Sequence, residues 1–230
     1  PTLVRPYGGI LVVSGATAGL IPTIRELGVP VLEEVRSPTM FRIANRNAPH
    51  NLYADTELVR EVVDSRGFKF LQPGPQPLYP FGFNQNNWDS GANKITIQYS
   101  EFTTVIWKLD GNRYSRFIID AYSSDKDAVA HNFISQDGNY SDILSTETIV
   151  VIQGALYKDK ATTLPSILTV GIGDLFIFND GKYVQGNWRR TDISENFEFF
   201  DLNQNPIEVP PSSQWIHVIP NEGQIAWSNS

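Results

Sequence analysis

The stretch Lys94–Asp120, KITIQYSEFTTVIWKLDGNRYSRFIID, decides the fold class of this protein. Apolar and polar residues alternate over Lys94–Tyr99, and this period of two predicts a strand with one buried face. Two further runs, Thr103–Leu109 and Arg113–Asp120, flank the dipeptide Asp110-Gly111, which favours a tight hairpin turn. The stretch therefore predicts antiparallel β-structure.

The rest of the chain after this stretch has the same character. Turn signals recur about every ten residues, which favours a twisted antiparallel sheet or a partly closed barrel. The glycines of Gly171-Ile172-Gly173 predict a turn between two strands, and Asp180-Gly181 predicts a hairpin. Further strands are predicted at Thr148–Gln153, Phe197–Phe200, Ile207–Val209 and Trp215–Ile219.

The first ninety residues have a different pattern. Gly9–Val13 is a short apolar run typical of a buried strand, and Leu20–Leu27 has near-helical spacing. Thr56–Ser65 carries its apolar residues on one helical face, and Gly67 is predicted to end that helix. The sequence thus predicts an α+β protein: a small α/β first part, residues 1–90, joined to a larger antiparallel β-rich second part, residues 91–230.

Composition narrows the possible classes of function. The net charge is −7, and residues 91–230 carry 10 basic and 17 acidic side chains, which disfavours nucleic acid as a partner. The absence of cysteine excludes disulfides and cysteine metal sites. No apolar run reaches about eighteen residues, so no transmembrane segment is predicted. No cofactor is predicted.

One short stretch concentrates polar side chains. Phe41–Tyr53, FRIANRNAPHNLY, lies on a loop that Pro49 keeps out of helical geometry and that leads into the predicted helix. Arginine forks hold carboxylates or phosphates, which suggests an anion or polar-ligand site. The same side chains could instead satisfy the carbonyls of an irregular backbone. The candidate ligand-binding residues here are Arg42, Arg46, His50, Asn51 and Tyr53.

The three histidines carry no recognisable catalytic or metal-binding spacing. No HxH, HExxH or GxSxG occurs, so the sequence predicts neither a metal site nor a nucleophile elbow. His217 shares one strand face with Trp215 and Ile219, which favours a packed strand histidine. His131 lies in a polar segment between strands, and His50 lies in the polar loop.

The chain resembles the YerB-like bacterial lipoproteins, a family of unknown function. The resemblance is carried by Arg42, by Arg46 four residues later, and by the run Ala48-Pro49-His50-Asn51-Leu52-Tyr53. Scattered features follow in order over the rest of the chain. They include Tyr99-Ser100, Val105-Ile106-Trp107, Tyr114 with Arg116, His131, Gly186-Asn187-Trp188 and Trp215-Ile216-His217-Val218-Ile219-Pro220.

Several expectations follow from this resemblance. It implies a two-part α+β fold and an extracytoplasmic location in the cell envelope, and it adds His131 to the candidate ligand-binding residues. The family has a further segment before Arg5 and a lipid-anchored cysteine, which this sequence lacks. We therefore expect a processed piece, or a partner chain that supplies the segment. The family supplies no catalytic residues.

Three functions are compatible with these observations. The first is a non-catalytic envelope protein that binds a ligand, a glycan or a partner protein through its aromatic side chains. The second is a hydrolase or transferase acting on a cell-wall component, with His50 as acid or base. The third is a structural subunit of a surface assembly.

Overall fold

The structure is a computed structural model, and it describes most of the chain. The described ranges are 2–16, 19–44, 46–48, 51–68, 76–85, 87–120, 127–134, 139–160, 164–221 and 223–229. Within them lie helices α1 (Leu20–Glu26) and α2 (Thr56–Ser65) and a 3₁₀ turn, Glu34–Arg36. No helix in the described ranges is long and apolar enough to cross a membrane.

The described ranges also contain twenty strands, most of them short. In chain order they are β1 Leu11–Val13, β2 Val31–Glu33, β3 Met40–Arg42, β4 Leu52–Ala54, β5 Asp89–Ser90, β6 Lys94–Gln98, β7 Thr103–Asp110, β8 Arg113–Asp120, β9 Val129–Ala130, β10 Asn132–Ile134, β11 Tyr140–Ile143, β12 Ser145–Thr146, β13 Thr148–Gly154, β14 Leu156–Lys158, β15 Pro165–Ile167, β16 Gly171–Asn179, β17 Lys182–Arg190, β18 Glu198–Asp201, β19 Gln214–Pro220 and β20 Gln224–Ser228.

The first part of the chain forms small separate elements. Strands β1 and β2 pair in parallel, and α1 packs on them through Ile24. Strands β3 and β4 form an antiparallel hairpin. Helix α2 begins at Asp55, whose carboxylate accepts from the backbone N–H groups of Glu57 (2.8 Å) and Leu58 (3.2 Å). These contacts supply partners to donors that a helix start otherwise leaves unpaired.

Two six-stranded sheets form the larger part. One has the order β12-β8-β7-β6-β20, with β9 added beside β8. The other has the order β18-β17-β16-β13-β19, with β5 added beside β17. Every pairing in these sheets is antiparallel except β13 with β19, which is parallel over its whole length.

Strand β13 is buried along its entire length, because both faces of its sheet are covered. Ile149 and Val151 face the other sheet in a core that includes Trp107 and Phe178. Its alternate residues enter a second core on the opposite face. Leu78 and Tyr79, which precede β5 in the chain, close that second core and are each 1% exposed.

The β-rich prediction is confirmed, and the chain is mostly antiparallel sheet. The helical part is smaller than the α+β prediction implies, because the two described helices have only seven and ten residues. The predicted turn at Gly171-Ile172-Gly173 is wrong. These residues begin β16 and pair with Arg190, Arg189 and Trp188 of β17. Gly173 serves close packing instead, since a Cβ there would lie 2.1 Å from the Gln153 carbonyl oxygen.

Candidate functional site

Described residues of the polar loop predicted as a site belong to strands β3 and β4, which pair in antiparallel orientation. Arg42 donates from Nη2 to Glu34 Oε1 (2.9 Å) and Oε2 (3.2 Å), and from Nη1 to Asn51 Oδ1 (2.8 Å). Asn51 also donates to the Ile43 carbonyl oxygen, over 3.2 Å. The guanidinium is therefore paired with a carboxylate of its own chain. Such contacts within the chain are expected of residues that stabilise the hairpin.

Two other predicted residues meet on the same hairpin. Arg46 Nη1 donates to the Tyr53 hydroxyl oxygen (3.1 Å), and the Tyr53 ring stacks on Phe41 with centroids 6.1 Å apart. His50 lies outside the described residues. Ligand binding by this group therefore stays a prediction.

His131 lies in a different cluster, on the larger part of the protein. Trp107 and Arg116 are direct cross-strand partners on β7 and β8, so their side chains share a face. His131 follows β9, and its N–H donates to the Arg116 carbonyl oxygen (2.9 Å). Strand β19 adds side chains from the facing sheet. We call this group the Arg116 cluster; its members are Tyr99, Trp107, Arg116, His131, Trp215 and His217.

Arg116 is the centre of this cluster. Its side chain is only 8% exposed, and its guanidinium carbon lies 4.8 Å from the ring centroid of Trp215 and 5.8 Å from that of Trp107. Nη1 donates to His131 Nδ1, whereas the buried Nε has no hydrogen-bond partner. Among the described residues no carboxylate forms an ion pair with this cation. Arg116 is therefore a buried charge with an unused donor.

His217 is fixed as a neutral ring. It is fully buried, and burial, followed by the charge of Arg116, lowers the pKa of His217 to about 3. Trp107 Nε1 donates to His217 Nε2 over 2.9 Å, because an indole N–H can only donate. The ring proton must then lie on Nδ1, which bonds the Tyr99 hydroxyl oxygen. The sequence-based prediction of a packed strand histidine is confirmed.

His131 and Tyr99 are held in defined protonation states as well. Burial and the neighbouring Arg116 lower the pKa of His131, so its ring is neutral near pH 7. Because His131 Nδ1 accepts from Arg116, its proton lies on Nε2. Burial raises the pKa of Tyr99, although the charge of Arg116 opposes this, and the hydroxyl therefore keeps its proton.

The cluster consequently combines a buried positive charge with hydrogen-bond donors on its more exposed residues. Arg116, Trp107 and His217 are buried, while Tyr99, His131 and Trp215 are partly exposed. The hydrogens on Arg116 Nε, His131 Nε2 and the Tyr99 hydroxyl are not used in the hydrogen bonds described above, and Arg116 Nη2 carries further N–H donors. One cation surrounded by donors is suited to an anionic group.

Of the five predicted site residues that the structure describes, only His131 belongs to this cluster. Among described residues it makes no hydrogen bond with Arg42, Arg46, Asn51 or Tyr53. Sequence reasoning missed Arg116 as a site residue. The strand pattern contained a usable signal. Tyr114 and Arg116 are two residues apart, so they lie on the same face of strand β8. A cation on the face that also carries a buried tyrosine is unusual and indicates a possible site.

Comparisons with known proteins agree with the fold. The sequence profiles of the N-terminal and C-terminal domains of a family described as "Protein of unknown function (DUF3048)" match residues 1–69 and 95–216, respectively. The crystal structure of the YerB protein from Bacillus subtilis superposes with a TM-score of 0.74 at 16% sequence identity. The match covers 98% of this chain and 73% of that chain.

No curated protein matches the sequence. The C-terminal profile alone covers more than half of the 230 residues, so the resemblance seen in the sequence is confirmed. This chain belongs to the YerB-like DUF3048 family of proteins of unknown function.

Proposed function

We propose that this protein is a non-catalytic, extracytoplasmic protein of the cell envelope that binds an anionic ligand at the Arg116 cluster. The observation that carries the proposal is the unpartnered, buried Nε of Arg116 beside two neutral histidines. A buried cation without a paired carboxylate lowers the stability of the fold. Binding of an anion would supply the missing partner and would explain why such a residue is present.

The ligand class follows from the surroundings of the cation. Charge-assisted hydrogen bonds from Arg116 suit a carboxylate or a phosphate. The partly exposed Trp215 indole adds a flat apolar surface, on which a sugar ring could stack. Within the envelope, these features fit an acidic glycan or another carboxylate-bearing cell-wall component.

The chemistry of the cluster favours binding over catalysis. A general base needs a free lone pair, but His131 Nδ1 accepts from Arg116 and His217 Nε2 accepts from Trp107. The ring proton occupies the other nitrogen of each histidine. Neither histidine of this cluster is therefore available to take a proton from a substrate or from water.

Titration calorimetry with defined probes tests the binding proposal. N-acetylmuramic acid carries a carboxylate that neutral N-acetylglucosamine lacks, so the native protein should bind the acidic sugar and discriminate against the neutral one at this site. Inorganic phosphate, as a third probe, separates recognition of charge alone from recognition of a sugar acid.

Arg116→Met should weaken binding of the acidic probe by at least about tenfold, because it removes the charge and its hydrogen bonds. Arg113→Gln is the matched control, since Arg113 lies on the same strand but donates to Ser145. Equal affinity of Arg116→Met and the native protein for the acidic probe would disprove the proposal.

The proposed location needs a separate experiment. The native protein can be fused to a reporter enzyme that becomes active only after export from the cytoplasm. We expect activity of the reporter in intact cells. A fusion that is produced at full length but shows no reporter activity would contradict the proposed location without affecting the binding measurements.

A further inference from the structure

A cavity that shares no residue with the Arg116 cluster lies beside strand β20. Strand β20 lies at the edge of its sheet and contributes Trp227 to the lining of the cavity. Strands β17 and β18 of the facing sheet contribute further lining residues. The cavity has a volume of about 230 Å³. Its lining includes Asn87, Asp89, Tyr183, Gln185, Asn203 and Trp227.

Two aromatic rings form one side of this cavity. Trp227 and Tyr183 approach to 4.9 Å between centroids, with their planes inclined by 53°. Trp227 is also held edge-on against Phe178, at 5.6 Å, in the core between the sheets. Both rings remain partly exposed at the cavity. The indole is thus a fixed apolar surface that is open to solvent on part of its area.

Besides Val184 and Leu202, the remaining side chains of the cavity are amides and carboxylates. Asn87, Gln185 and Asn203 each offer a donor and an acceptor, and Asp89 offers acceptors. The position of Asn203 is fixed by its neighbour Asp201, whose carboxylate accepts from the Asn203 N–H (2.9 Å). No arginine or lysine is among the described residues that line the cavity. An anionic ligand would therefore meet like charge, while a ligand rich in hydroxyl groups would find partners.

We infer that this cavity, here called the Trp227 groove, binds one pyranose ring of a neutral oligosaccharide. A sugar ring has apolar C–H faces that stack on an indole and equatorial hydroxyls that need both donors and acceptors, as the groove supplies. The volume is below the roughly 300 Å³ at which pockets for drug-sized ligands begin. It suits a single ring, with the rest of the glycan outside.

The inference is independent of the proposed anion site, and the test keeps the two separate. Binding of cellobiose and of the N-acetylglucosamine disaccharide is measured by calorimetry and by saturation-transfer NMR. The double variant Asp89→Ala/Gln185→Ala removes hydrogen-bonding groups from the groove and should weaken binding roughly tenfold. Trp227→Phe keeps an aromatic ring in the core while reducing the stacking surface, and should weaken binding less.

Gln224→Ala is the matched control, because Gln224 is an exposed glutamine on the same strand as Trp227 and lies outside the groove. Arg116→Met should also bind these neutral sugars with unchanged affinity. The inference is overturned if the native protein binds neither disaccharide. It is equally overturned if the double variant binds as tightly as Gln224→Ala while circular dichroism shows that both are folded.

Discussion

Arg116 and His217 belong to one cluster but differ in whether their polar atoms have hydrogen-bond partners. His217 is fully satisfied, since one ring nitrogen accepts from Trp107 and the other bonds Tyr99. Arg116 is not, because its Nε lacks a partner. Stability alone explains the first arrangement but not the second, and this contrast is the reason why we propose Arg116 as the ligand-binding residue.

The pH dependence of stability should reveal His217. Its folded-state pKa of about 3 lies below the ordinary value of 6.5, so the unfolded chain takes up the proton first. This contribution is complete above pH 6.5 and is lost as the pH falls toward 3. Urea unfolding at pH 7 and pH 4.5 should show a loss of about 3 kcal/mol from this residue.

His217→Gln provides the control for that measurement, because an amide can still accept from Trp107 but does not titrate in this range. The variant should be less stable than the native protein at pH 7 and should lose less stability on acidification. An identical loss in both proteins would show that the acid sensitivity comes from other groups, such as the carboxylates.

Two buried arginines should respond differently to the same substitution. Arg190 is buried and donates to the carbonyl oxygens of Thr2 (2.8 Å), Glu195 (2.9 Å) and Ile193 (2.5 Å). Arg190→Met removes these charge-assisted hydrogen bonds and should cost about 3 kcal/mol. Arg116→Met removes an unpaired charge and should change the unfolding free energy by less than about 1 kcal/mol. Chemical denaturation measures both values.

If Arg116→Met proved as destabilising as Arg190→Met, Arg116 would be a structural residue. The thermal denaturation curves of the two variants, recorded in parallel, would reveal this independently of any ligand.

At the scale of the elements, close packing decides where strand β16 begins. The sequence pattern of Gly171 and Gly173 predicts a turn. In the structure both glycines instead belong to β16 and pair with residues of β17. Trp188 Nε1 donates to the Gln153 carbonyl oxygen (2.7 Å) directly above Gly173. A residue with a side chain does not fit beneath this hydrogen bond, which is the physical reason for a glycine here.

Gly173→Ala should therefore destabilise the protein by about 3 kcal/mol, since its Cβ would lie 2.1 Å from the Gln153 oxygen and 2.5 Å from Trp188 Nε1. Gly15→Ala is the control, because a Cβ at Gly15 meets nothing within 4 Å and should change stability by less than about 0.5 kcal/mol. Urea midpoints measure both. Equal midpoints would contradict the packing explanation.

At the scale of the whole molecule, residues before 91 complete the core of the larger part. Tyr79 donates to Gln214 Oε1 (2.6 Å), and the Leu78 carbonyl oxygen accepts from the Phe197 N–H (2.7 Å). Strand β5 adds to the edge of β17. The division predicted at residue 90 stays a prediction, and these contacts provide a way to test it.

A fragment of residues 91–230 should be less stable than one of residues 76–230, because it exposes the apolar face that Leu78 and Tyr79 cover. We expect the longer fragment to unfold cooperatively in urea and the shorter one to bind a hydrophobic dye. Equal midpoints for the two fragments would support a boundary at residue 90.

Local patterns account for most of the elements and for little of the candidate site. The hairpin Lys94–Asp120, helix α2 and the hairpin at Asp180-Gly181 follow from period, capping and turn chemistry, which act over a few residues. Helix α1 also lies where its spacing predicts a helix. The strand predicted at Ile207–Val209 is not formed. Within this segment Val209 makes only an isolated β-bridge, to Phe81.

The sequence by itself determined that this is a β-rich protein of the YerB-like family, since alternation and local motifs specify strands and mark relatives. Only the tertiary structure decided that Arg116, His131 and His217 meet, because 101 positions separate the first and the last of them. That meeting depends on β19 lying opposite β7 and β8 across the core. No local pattern encodes which sheet faces which; packing of the whole chain settles it.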